Sequence, residues 1–472
     1  MQDLNITPET RQAYESLSAA NIKFLEYTLE KPKFFCRSQF QELVAWKHPT
    51  SNVQLQPWPL FIDRHTRDTF EEAAVKVFNL VKSIPRRVFS FDPYRIGDYY
   101  HIPGEQVRGF MTGTSDRHIE GLLGRGDFVF SPSGLKCLEF NATSLGGWQL
   151  PTWEALALQN LLIAEFIDIH HLKINNKNLF SALFDHLIGI AREFFPQEDE
   201  INIAIVIFHP GLVASMGVYD RYLNHLYLAQ LQTRNQEKRM TGRIMFCMLQ
   251  QMRITNDCLY YQNQRIHIII DYSAQAISPG FLSTFKPGNV LIFNGPVSNI
   301  IANKFCLSLL SELEDSELFG LEERKTIKEH IPWTRKMTPG LTTYKGEKIN
   351  LEDFVRANQE QLVLKPVLGH GGEGVIIGGH SLAGQWQEMV TGALHQRRWI
   401  VQERIQSHRF LFQWGEEGCK ECDAALGMFV YGSKLGGVFM RILPREHSKG
   451  VINAIQGAET PIVLEVQEHL IK

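Results

Sequence analysis

The chain has 472 residues, more than one hydrophobic core normally accommodates, so two to four domains or subdomains are expected. Hydrophobic residues make up 44% of the sequence and charged residues 21%, a composition typical of soluble globular proteins. The net charge of −3 argues against nucleic acid or a membrane surface as the main partner. The first thirty residues lack the apolar core of a signal peptide, and no run reaches the ~18 apolar residues that span a bilayer. We therefore expect a cytoplasmic protein.

The N-terminal segment 1–120 is expected to be mainly helical. Thr7 followed by Pro8 is typical of a helix start, because proline is tolerated in the first turn. Residues 69–84 carry apolar side chains at helical spacing and are followed by Pro85, which predicts the end of that helix. This segment contains no motif that indicates a particular chemistry.

Residues 125–141 predict a β-hairpin with a polar face. Alternate residues of a strand point to the same side, so Glu139 and Asn141 share a face, and Asp127 with Arg125 lies at the same end of the partner strand. Two carboxylates and an amide oxygen are the hard ligands that Mg²⁺ prefers. We interpret Asp127, Glu139 and Asn141 as a magnesium site, and a solvated polar face of the hairpin is the alternative.

A parallel sheet is predicted in the middle of the chain. Helices over 151–168 and 176–196 precede strands over 201–208, 266–271 and 290–293, with a further helix around 219–232. The strands near 205 and 268 are continuously apolar, which indicates burial on both faces of a small doubly wound unit. The dinucleotide motif GxGxxG does not follow its first strand, so a dinucleotide site is weakly supported.

A glycine-rich loop follows an apolar strand that ends at Lys365. The loop contains Gly369, Gly371, Gly372 and Gly374 and leads into a second apolar strand. Glycines let backbone N–H groups fold around phosphate oxygens, and the lysine adds a mobile positive charge. The pattern GxxxxGK[ST] is absent, so this is not a Walker P-loop. We predict a hairpin that closes over a nucleotide as a lid, with an ordinary glycine-rich turn as the alternative.

Three further stretches are candidates for the same site. Lys304 interrupts an apolar helical stretch, where a surface lysine and a functional one are both open interpretations. The strand 399–405 becomes polar at Gln402 and Glu403, an edge at which an adenine can pair with the backbone. Arg441 projects from the second of two antiparallel strands predicted over 424–430 and 437–442. A short helix is expected to follow residue 453.

Seven cysteines are scattered along the chain, and an odd, sparse set indicates reduced thiols. Cys419 and Cys422 form a single CxxC pattern without a second pair at zinc spacing. A surface turn between two strands is favoured over a metal site or a redox pair at this position.

Together these motifs resemble the circularly permuted ATP-grasp ligases, specifically the synthetase domain of glutathionylspermidine synthetase. In ordinary ATP-grasp enzymes the metal hairpin follows the lid, whereas here it comes more than 200 residues before it. The matching motifs are Arg-x-Asp with Glu-x-Asn (Arg125, Asp127, Glu139, Asn141), Asn-Lys (Asn303, Lys304), Lys-Pro with the glycine lid (Lys365, Pro366, 369–374) and Gln-Glu (Gln402, Glu403). The matches extend from about residue 120 to the end of the sequence.

The resemblance implies an α/β (α+β) fold, an ATP-grasp fold in circularly permuted order with a small doubly wound parallel-sheet domain. The expected division is an N-terminal mainly helical region over 1–120, the permuted metal-binding hairpin and helices over 121–195, a Rossmann-like domain over 196–297, and the nucleotide-binding region with its lid over 298–472.

The resemblance also implies an activity. ATP-grasp enzymes phosphorylate a carboxylate with ATP, and an amine then attacks the acyl phosphate to form an amide. In such a ligase the roles would be magnesium binding by Asp127, Glu139 and Asn141, nucleotide binding by Lys304, Lys365, Gly369, Gly371, Gly372, Gly374, Gln402 and Glu403, and catalysis by Arg125 and Arg441. The expected cofactors are ATP and Mg²⁺, and the expected partners are small-molecule carboxylates and amines, with no nucleic acid or membrane.

Two departures from the family limit what is implied about substrates. The amidase half of the bifunctional glutathionylspermidine enzyme has no counterpart, and His370 stands where the family lid carries an arginine. Glutathione and spermidine are therefore not implied, and an amino acid, peptide or polyamine-type substrate is expected. An ATP-dependent phosphotransferase and a non-catalytic ATP-binding protein are the alternatives.

Overall fold

The computed structural model describes residues 6–30, 54–112, 114–142, 146–147, 150–207, 209–233, 240–271, 281, 289–369, 371–414, 418–448 and 450–468. They form a mixed α/β architecture with several sheets. None of the helices within these ranges combines the length and apolar character needed to cross a bilayer.

The strands, in chain order, are β1 (Gln54–Ile62), β2 (Leu123–Ser131), β3 (Gly134–Asn141), β4 (Leu172–Ile174), β5 (Ile203–Val206), β6 (Ile244–Cys247), β7 (Arg253–Thr255), β8 (Cys258–Tyr261), β9 (Gln264–Ile266), β10 (Ile268–Asp271), β11 (Leu291–Phe293), β12 (Thr334–Lys336), β13 (Leu341–Tyr344), β14 (Glu347–Asn350), β15 (Leu362–Pro366), β16 (Ile376–Ile377), β17 (Trp399–Glu403), β18 (Phe410–Gln413), β19 (Cys419–Tyr431), β20 (Lys434–Pro444) and β21 (Glu459–Glu468). The described α-helices span Pro8–Glu15, Ala20–Glu30, Arg64–Arg87, Pro93–Tyr100, Gly104–Met111, Asp116–Glu120, Leu150–Gln159, Leu161–Ile169, Leu179–Phe194, Pro210–Met216, Asp220–Thr233, Ser298–Ile301, Phe305–Glu312, Leu321–His330, Leu351–Ala357 and Ala383–Gln396.

The largest sheet has the order β1-β21-β20-β19-β2-β3, with β18 also paired to β19 and β4 to β21. β1 and β21 run parallel, and the other neighbouring strands of this path run antiparallel. The hairpin of β2 and β3 therefore lies beside strands from the last part of the chain. This arrangement brings the polar face of the hairpin next to β19 and β20.

β1 lies in the segment that was expected to be mainly helical. It contains Pro57 and Pro59, and its pairing with β21 shifts register between Gln56 and Leu60. Proline cannot donate a backbone hydrogen bond, and it is tolerated here because β1 lies at an edge of the sheet. The short helix expected after residue 453 is a single 3₁₀ turn over Ala454–Gln456, and the following residues form β21, which lies between β1 and β20. The domain boundaries stay a prediction.

The helix predictions were correct in position but not in every boundary. The side chain of Thr7 caps the helix Pro8–Glu15 by accepting a hydrogen bond from the Thr10 amide. The helix predicted over 69–84 runs from Arg64 to Arg87 and includes Pro85. The single helix predicted over 151–168 is divided at Asn160, whose side chain caps the second part.

The middle of the chain contains the predicted parallel sheet. Its order is β11-β10-β5-β6, and every neighbouring pair runs parallel. β6 was not predicted. Phe184 and Tyr227, from two of the helices, pack in one hydrophobic core with side chains of β5 and β10. The strands are buried on both faces, as their continuous apolar character indicated.

A separate antiparallel sheet carries the glycine-rich loop. Its order is β12-β17-β15-β16, and β15 pairs with β16 across the loop, as the predicted hairpin required. The helix Ala383–Gln396 covers one face of this sheet, where Trp386 packs against Leu364 and Val401. Lys365 points to the other face, because successive side chains of a strand alternate.

The CxxC pattern lies in regular structure, so the surface turn predicted for it was wrong. Cys419 and Cys422 occupy the first residues of β19, where they pair with Gln413 and Phe410 of β18. Both are free thiols in the described structure.

Candidate functional site

A cavity of about 630 Å³ lies between the largest sheet and the sheet that carries the glycine-rich loop. Its volume lies within the range of small-molecule sites. Ten of the thirteen predicted site residues line it: Arg125, Asp127, Glu139, Asn141, Lys365, Gly371, Gly372, Gln402, Glu403 and Arg441. The sequence-based prediction therefore located residues from distant segments that the fold brings into one cavity.

The hairpin presents its polar face to this cavity. The strand register places Asp127 opposite Glu139 and Arg125 opposite Asn141, with a bulge after Asp127. The Nδ2 atom of Asn141 lies 3.5 Å from Oδ2 of Asp127 and 3.4 Å from Oε1 of Glu139. The predicted convergence of these side chains is confirmed, whereas their role as metal ligands stays a prediction.

Asp127 is held between two guanidinium groups. Nε of Arg125 donates to Oδ1 of Asp127 at 2.9 Å, and Nη2 of Arg441 lies 3.0 Å from Oδ2. Asp127 is only 6% exposed. Burial raises the pKa of its carboxyl, but the attraction of Arg125 and Arg441 outweighs burial and holds that pKa well below its usual range. The carboxylate is therefore ionised at neutral pH.

Glu139 has a different basic partner. The Nζ atom of Lys304 lies 3.3 Å from Oε2 of Glu139, and Lys304 is only 8% exposed. Lys304 lies just before the helix Phe305–Glu312 and not inside a continuous helix, because the side chain of Asn303 accepts a hydrogen bond from the Phe305 amide. The Asn-Lys pair thus places the lysine at a helix start, where it reaches the hairpin.

Lys365 is a buried cation fixed by a neighbouring strand. Its Nζ atom donates to Oε1 of Gln402 at 2.6 Å, and Nε2 of Gln402 in turn donates to Oγ1 of Thr334 at 3.0 Å. Burial lowers the pKa of Lys365 to about 8, although the nearby charge of Glu139 opposes this shift. Gln402 was predicted as a nucleotide contact, and no local sequence pattern indicates that it holds Lys365.

The backbone around Glu403 is already used within the fold. The N–H groups of Glu403 and Arg404 donate to the carbonyl oxygens of Trp333 and Gln361, each at 2.8 Å. The adenine pairing predicted at Gln402 and Glu403 therefore cannot use these two donors. The cavity lining continues into Ile405, Gln406 and Ser407, directly after them.

The glycine-rich loop closes against the segment 450–453. The backbone φ angles are +61° at Gly371, +74° at Gly372 and +72° at Gly374, values that favour glycine. Nδ2 of Asn453 donates to the carbonyl oxygen of Gly371, and a Cβ atom on Gly372 would lie 2.3 Å from Cγ1 of Val451. Sequence reasoning missed Asn453, because nothing in the chain pattern links it to the loop.

Gly369 and Gly374 flank this part of the loop and lie outside the cavity lining. A Cβ atom on Gly374 would lie 3.1 Å from Cγ of Pro366. The departure noted at His370 lies outside the described residues.

The cavity carries more basic than acidic side chains. Its six basic residues are Arg125, Lys365, Arg404, Arg409, Arg441 and Arg445, and its four acidic residues are Asp127, Glu139, Glu403 and Asp423. The excess of two positive charges, with Lys304 beside it, suits a polyanion such as a nucleoside triphosphate. Arg404, Arg409 and Arg445 were not predicted from the sequence.

The hairpin side chains fit a magnesium ion in their chemistry. Within the described segments no group of three or more His, Cys, Asp and Glu side chains converges on one point. Asp127 and Glu139 supply two carboxylates, and a half-turn of the Asn141 amide would direct its oxygen toward both. Mg²⁺ typically takes few protein ligands and completes its octahedron with water and phosphate oxygens. This donor set therefore suits Mg²⁺ bound together with a nucleotide.

The sequence matches to known proteins are short, whereas structural similarity extends over most of the chain. The sequence matches no family model. It is 31% identical over 199 residues to a Frankia alni protein with the provisional name glutamate–cysteine ligase 2-3, covering 38% of this chain and 20% of that protein. It is 30% identical over 154 residues to the Frankia casuarinae protein provisionally named glutamate–cysteine ligase 2-2, covering 29% and 17%. The chain thus spans about a fifth of the length of these relatives or less.

The structural match covers nearly the whole molecule. A glutathione synthetase-like effector of Globodera pallida, solved in its apo form, aligns with a TM-score of 0.57 at 12% sequence identity. The alignment covers 91% of this chain and 96% of the effector. The chain therefore shares the overall fold of that glutathione synthetase-like protein.

Proposed function

We propose that this protein is an ATP-dependent ligase that joins the carboxylate of one small amino-acid-like substrate to the amine of another. One observation carries the proposal. Side chains from the hairpin, from β15 and from β20 meet in a single cavity, where basic groups surround two carboxylates. An excess of fixed cations around a pair of potential magnesium ligands suits the transfer of a phosphoryl group.

The comparisons support the class of substrate. The relatives are named for joining glutamate to cysteine, and the similar structure is named for its likeness to glutathione synthetase. For this protein we propose an amino acid, a peptide or a polyamine-type amine as substrates. The architecture we propose is an ATP-grasp fold in circularly permuted order, since the metal hairpin comes before the lid in the sequence.

In this ligase the basic residues would bind the phosphates of ATP, and the acidic residues would bind Mg²⁺. Lys304 and Lys365 would hold the phosphates of ATP, and the amides of Gly371 and Gly372 would cover them as the loop closes. Mg²⁺ bound by Asp127, Glu139 and Asn141 would offset the negative charge of the phosphates. Each of these groups lies in or beside the same cavity.

The arginine pair would act at the reacting carboxylate. An oxygen of the substrate carboxylate attacks the γ-phosphorus, the bond to the β–γ bridging oxygen breaks, and ADP leaves with that electron pair. The amine then attacks the acyl carbon of the acyl phosphate, the C–O bond breaks, phosphate leaves, and the nitrogen releases its proton to solvent. Arg125 and Arg441 would balance the charge that develops in both steps, which depend mainly on positioning and electrostatics.

Hydroxylamine trapping tests this proposal. Purified protein is incubated with ATP, Mg²⁺ and single carboxylates from a panel of amino acids and short peptides, and ADP and hydroxamate are measured together. We expect equal amounts of both with at least one carboxylate and neither product with Asp127→Asn. ADP with phosphate on a stable acceptor and no hydroxamate would indicate a phosphotransferase. ATP binding without ADP across the panel would indicate a non-catalytic ATP-binding protein.

A further inference from the structure

A buried asparagine joins the parallel sheet to the open end of the β2–β3 hairpin. Asn294 directly follows β11, at the carboxyl edge of that sheet, and is 6% exposed. Its Oδ1 atom accepts a hydrogen bond from the Leu123 amide at 2.8 Å. Its Nδ2 atom donates to the carbonyl oxygens of Leu123, at 2.7 Å, and of Ala142. The side-chain amide therefore uses both donor hydrogens and its oxygen on the backbone of the hairpin.

The residues that Asn294 bonds stand next to the proposed site residues. Leu123 is the first residue of β2, two before Arg125. Ala142 directly follows Asn141, the last residue of β3. Arg125 and Asn141 form the last pair of the hairpin register at this end. The asparagine thus bridges the two strands just beyond their last pair, beside the amide that we assign to the metal.

The parallel sheet holds the hairpin at further points. Farther along the connection that begins at Asn294, Nζ of Lys304 lies 3.3 Å from Oε2 of Glu139. On the other side, Nε2 of His118 lies 3.2 Å from the carbonyl oxygen of Ile292 in β11, so the segment that leads into β2 is also fixed to this sheet. The position of the hairpin is therefore set largely by contacts with the parallel sheet and the connection that follows it.

The bridge is not replaceable by solvent. Leu123 and Ala142 are at most 2% exposed, so their backbone groups depend on partners within the protein. A buried backbone group without a partner is costly, and the end of the hairpin would have to shift to regain one. Ligands of a metal ion must be held within about 0.5 Å of their productive positions. Loss of the bridge should therefore disturb the metal site before it unfolds the protein.

We propose that Asn294 is a positioning residue for the magnesium site. It would hold the open end of the hairpin so that Asn141 stays within reach of an ion bound by Asp127 and Glu139. Asn294 lies outside the lining of the large cavity and would act only through the backbone that it bonds. The inference rests on the proposed ligase function, and it gives the parallel sheet a part in metal binding.

Replacement of Asn294 is compared with replacement of a matched asparagine. Asn202 is fully buried and lies just before β5, at the opposite edge of the same parallel sheet. Its Oδ1 atom accepts from the Arg243 amide, and its Nδ2 atom donates to the carbonyl oxygen of Arg265, each at 3.0 Å. Asn202→Ala therefore removes similar hydrogen bonds from the same sheet. The two test variants are Asn294→Ala and Asn294→Asp, of which the second keeps an acceptor for the Leu123 amide.

Mn²⁺ binding, measured by electron paramagnetic resonance with a non-hydrolysable ATP analogue present, reports on the site without turnover. Mn²⁺ accepts the same oxygen ligands as Mg²⁺. We expect the Kd for Mn²⁺ to rise at least ~10-fold in both Asn294 variants, the scale for losing a group that orients a metal ligand, and to stay within about two-fold of wild type in Asn202→Ala. Thermal unfolding of the same samples should show similar losses of stability in Asn294→Ala and Asn202→Ala.

Hydrogen exchange of wild type tests the same coupling without a variant. The Leu123 and Arg243 amides both bond to an asparagine side-chain oxygen, that of Asn294 and that of Asn202. If the bridge and the metal site are coupled, each must stabilise the other. We expect Mg²⁺, added at saturation to the complex with the analogue, to slow exchange of the Leu123 amide at least ~10-fold and to leave the Arg243 amide unchanged. Mass spectrometry with fragmentation to single amides measures both rates.

Wild-type Mn²⁺ affinity in both Asn294 variants would overturn the inference, and so would an equal loss in Asn202→Ala, because general destabilisation would then explain the effect. If the variants do not fold, an unchanged exchange rate of the Leu123 amide on addition of Mg²⁺ overturns it alone. A wild type that binds the analogue and Mn²⁺, without any effect of Asn294, leaves the ligase function intact. A wild type that binds neither contradicts that function and the inference together.

Discussion

Nη2 of Arg441 on β20 lies 3.0 Å from Oδ2 of Asp127 on β2, across the intervening strand β19. Arg125 approaches the same carboxylate from its own strand. Two cations from different strands thus converge on the one carboxylate that the hairpin buries. A magnesium ion at Asp127 would share this carboxylate with an arginine, and that sharing would place the arginine beside the phosphates.

Replacing Arg441 tests this arrangement. We expect Arg441→Gln to lower the turnover by at least ~10²-fold, the scale for loss of a key electrostatic group, without raising the Mg²⁺ concentration that the reaction requires. Steady-state ADP release at varied Mg²⁺ measures both quantities. Arg86→Gln is the control, because Arg86 pairs with Asp116 on an exposed surface. A wild-type rate in Arg441→Gln would remove Arg441 from the catalytic assignment.

Asp127→Asn should affect both turnover and acid stability. We expect turnover to fall by at least ~10²-fold, and the same for Glu139→Gln. The folded-state pKa of Asp127 is depressed by Arg125 and Arg441, so its charge stabilises the fold above the unfolded pKa of about 4 and loses this effect as the pH falls further.

Urea unfolding measures the acid effect. Wild type should be more stable than Asp127→Asn at pH 7, and the difference should shrink as the pH is lowered from 4 toward the depressed pKa. A difference that stays constant with pH would show that the ion pairs of Asp127 are not its cause. A near-normal turnover in either variant would remove the metal assignment of that residue.

Lys365→Met should stabilise the ligand-free protein while it weakens ATP binding. Burial lowers the pKa of Lys365 in the folded state to about 8. Below pH 8 the lysine is charged in both the folded and the unfolded state, and burial of that charge destabilises the folded state. Removing the charge should therefore raise the free energy of unfolding at pH 7, by on the order of 1 kcal/mol. This gain should shrink between pH 8 and the unfolded pKa of about 10.4, where lysine becomes neutral in both states.

Chemical unfolding at pH 7 and pH 10 together with calorimetric titration of ATP tests this prediction. In wild type, ATP affinity should also decline as the pH rises above about 8, because Lys365 loses its charge. Lys365→Met protein that is less stable than wild type at pH 7 and binds ATP normally would contradict both expectations.

Gly372→Ala should impair closure of the glycine-rich loop. A Cβ atom there would lie 2.3 Å from Cγ1 of Val451 and 2.9 Å from Nδ2 of Asn453, and the φ of +74° is strained for alanine. We expect the KM for ATP to rise about ten-fold, since the amide of Gly372 would no longer reach the phosphates; one lost charge-assisted hydrogen bond has this scale.

Gly346→Ala is the matched control for backbone strain. Gly346 has a φ of +85°, but nothing lies within 4 Å of a Cβ atom there, in the turn between β13 and β14. Both variants should lose similar stability, and only Gly372→Ala should change the KM for ATP. Equal KM values in the two variants would show that the contact with the segment 450–453 is irrelevant to nucleotide binding.

Most of the predicted site residues were identified from local sequence patterns. The alternation of Arg125, Asp127, Glu139 and Asn141 is set by the two-residue period of a strand, which the sequence displays directly. The glycine-rich loop between two apolar runs likewise predicted the hairpin of β15 and β16. Such features depend on neighbours in the chain, and they were found without knowledge of the fold.

Features that depend on distant pairing were missed. The strand β1 was not predicted, because it contains two prolines. A strand with prolines is tolerated at the edge of a sheet, and β1 lies at the edge beside β21. The side chain of Gln402 holds Lys365 because β17 pairs with β15, a register that the sequence does not encode locally. The contact of Asn453 with the glycine-rich loop has the same origin.

The interleaved order of the largest sheet has a consequence for biosynthesis. The hairpin of β2 and β3 emerges from the ribosome early, but its sheet neighbour β19 and the basic residue Arg441 are translated only after residues 142–418. Asp127 is thus produced long before the strands that bury it and the arginine that neutralises it. Pairing at such separations slows folding, so nascent chains would expose this polar hairpin while residues 142–418 are translated and would gain a complete site only once β20 has been made.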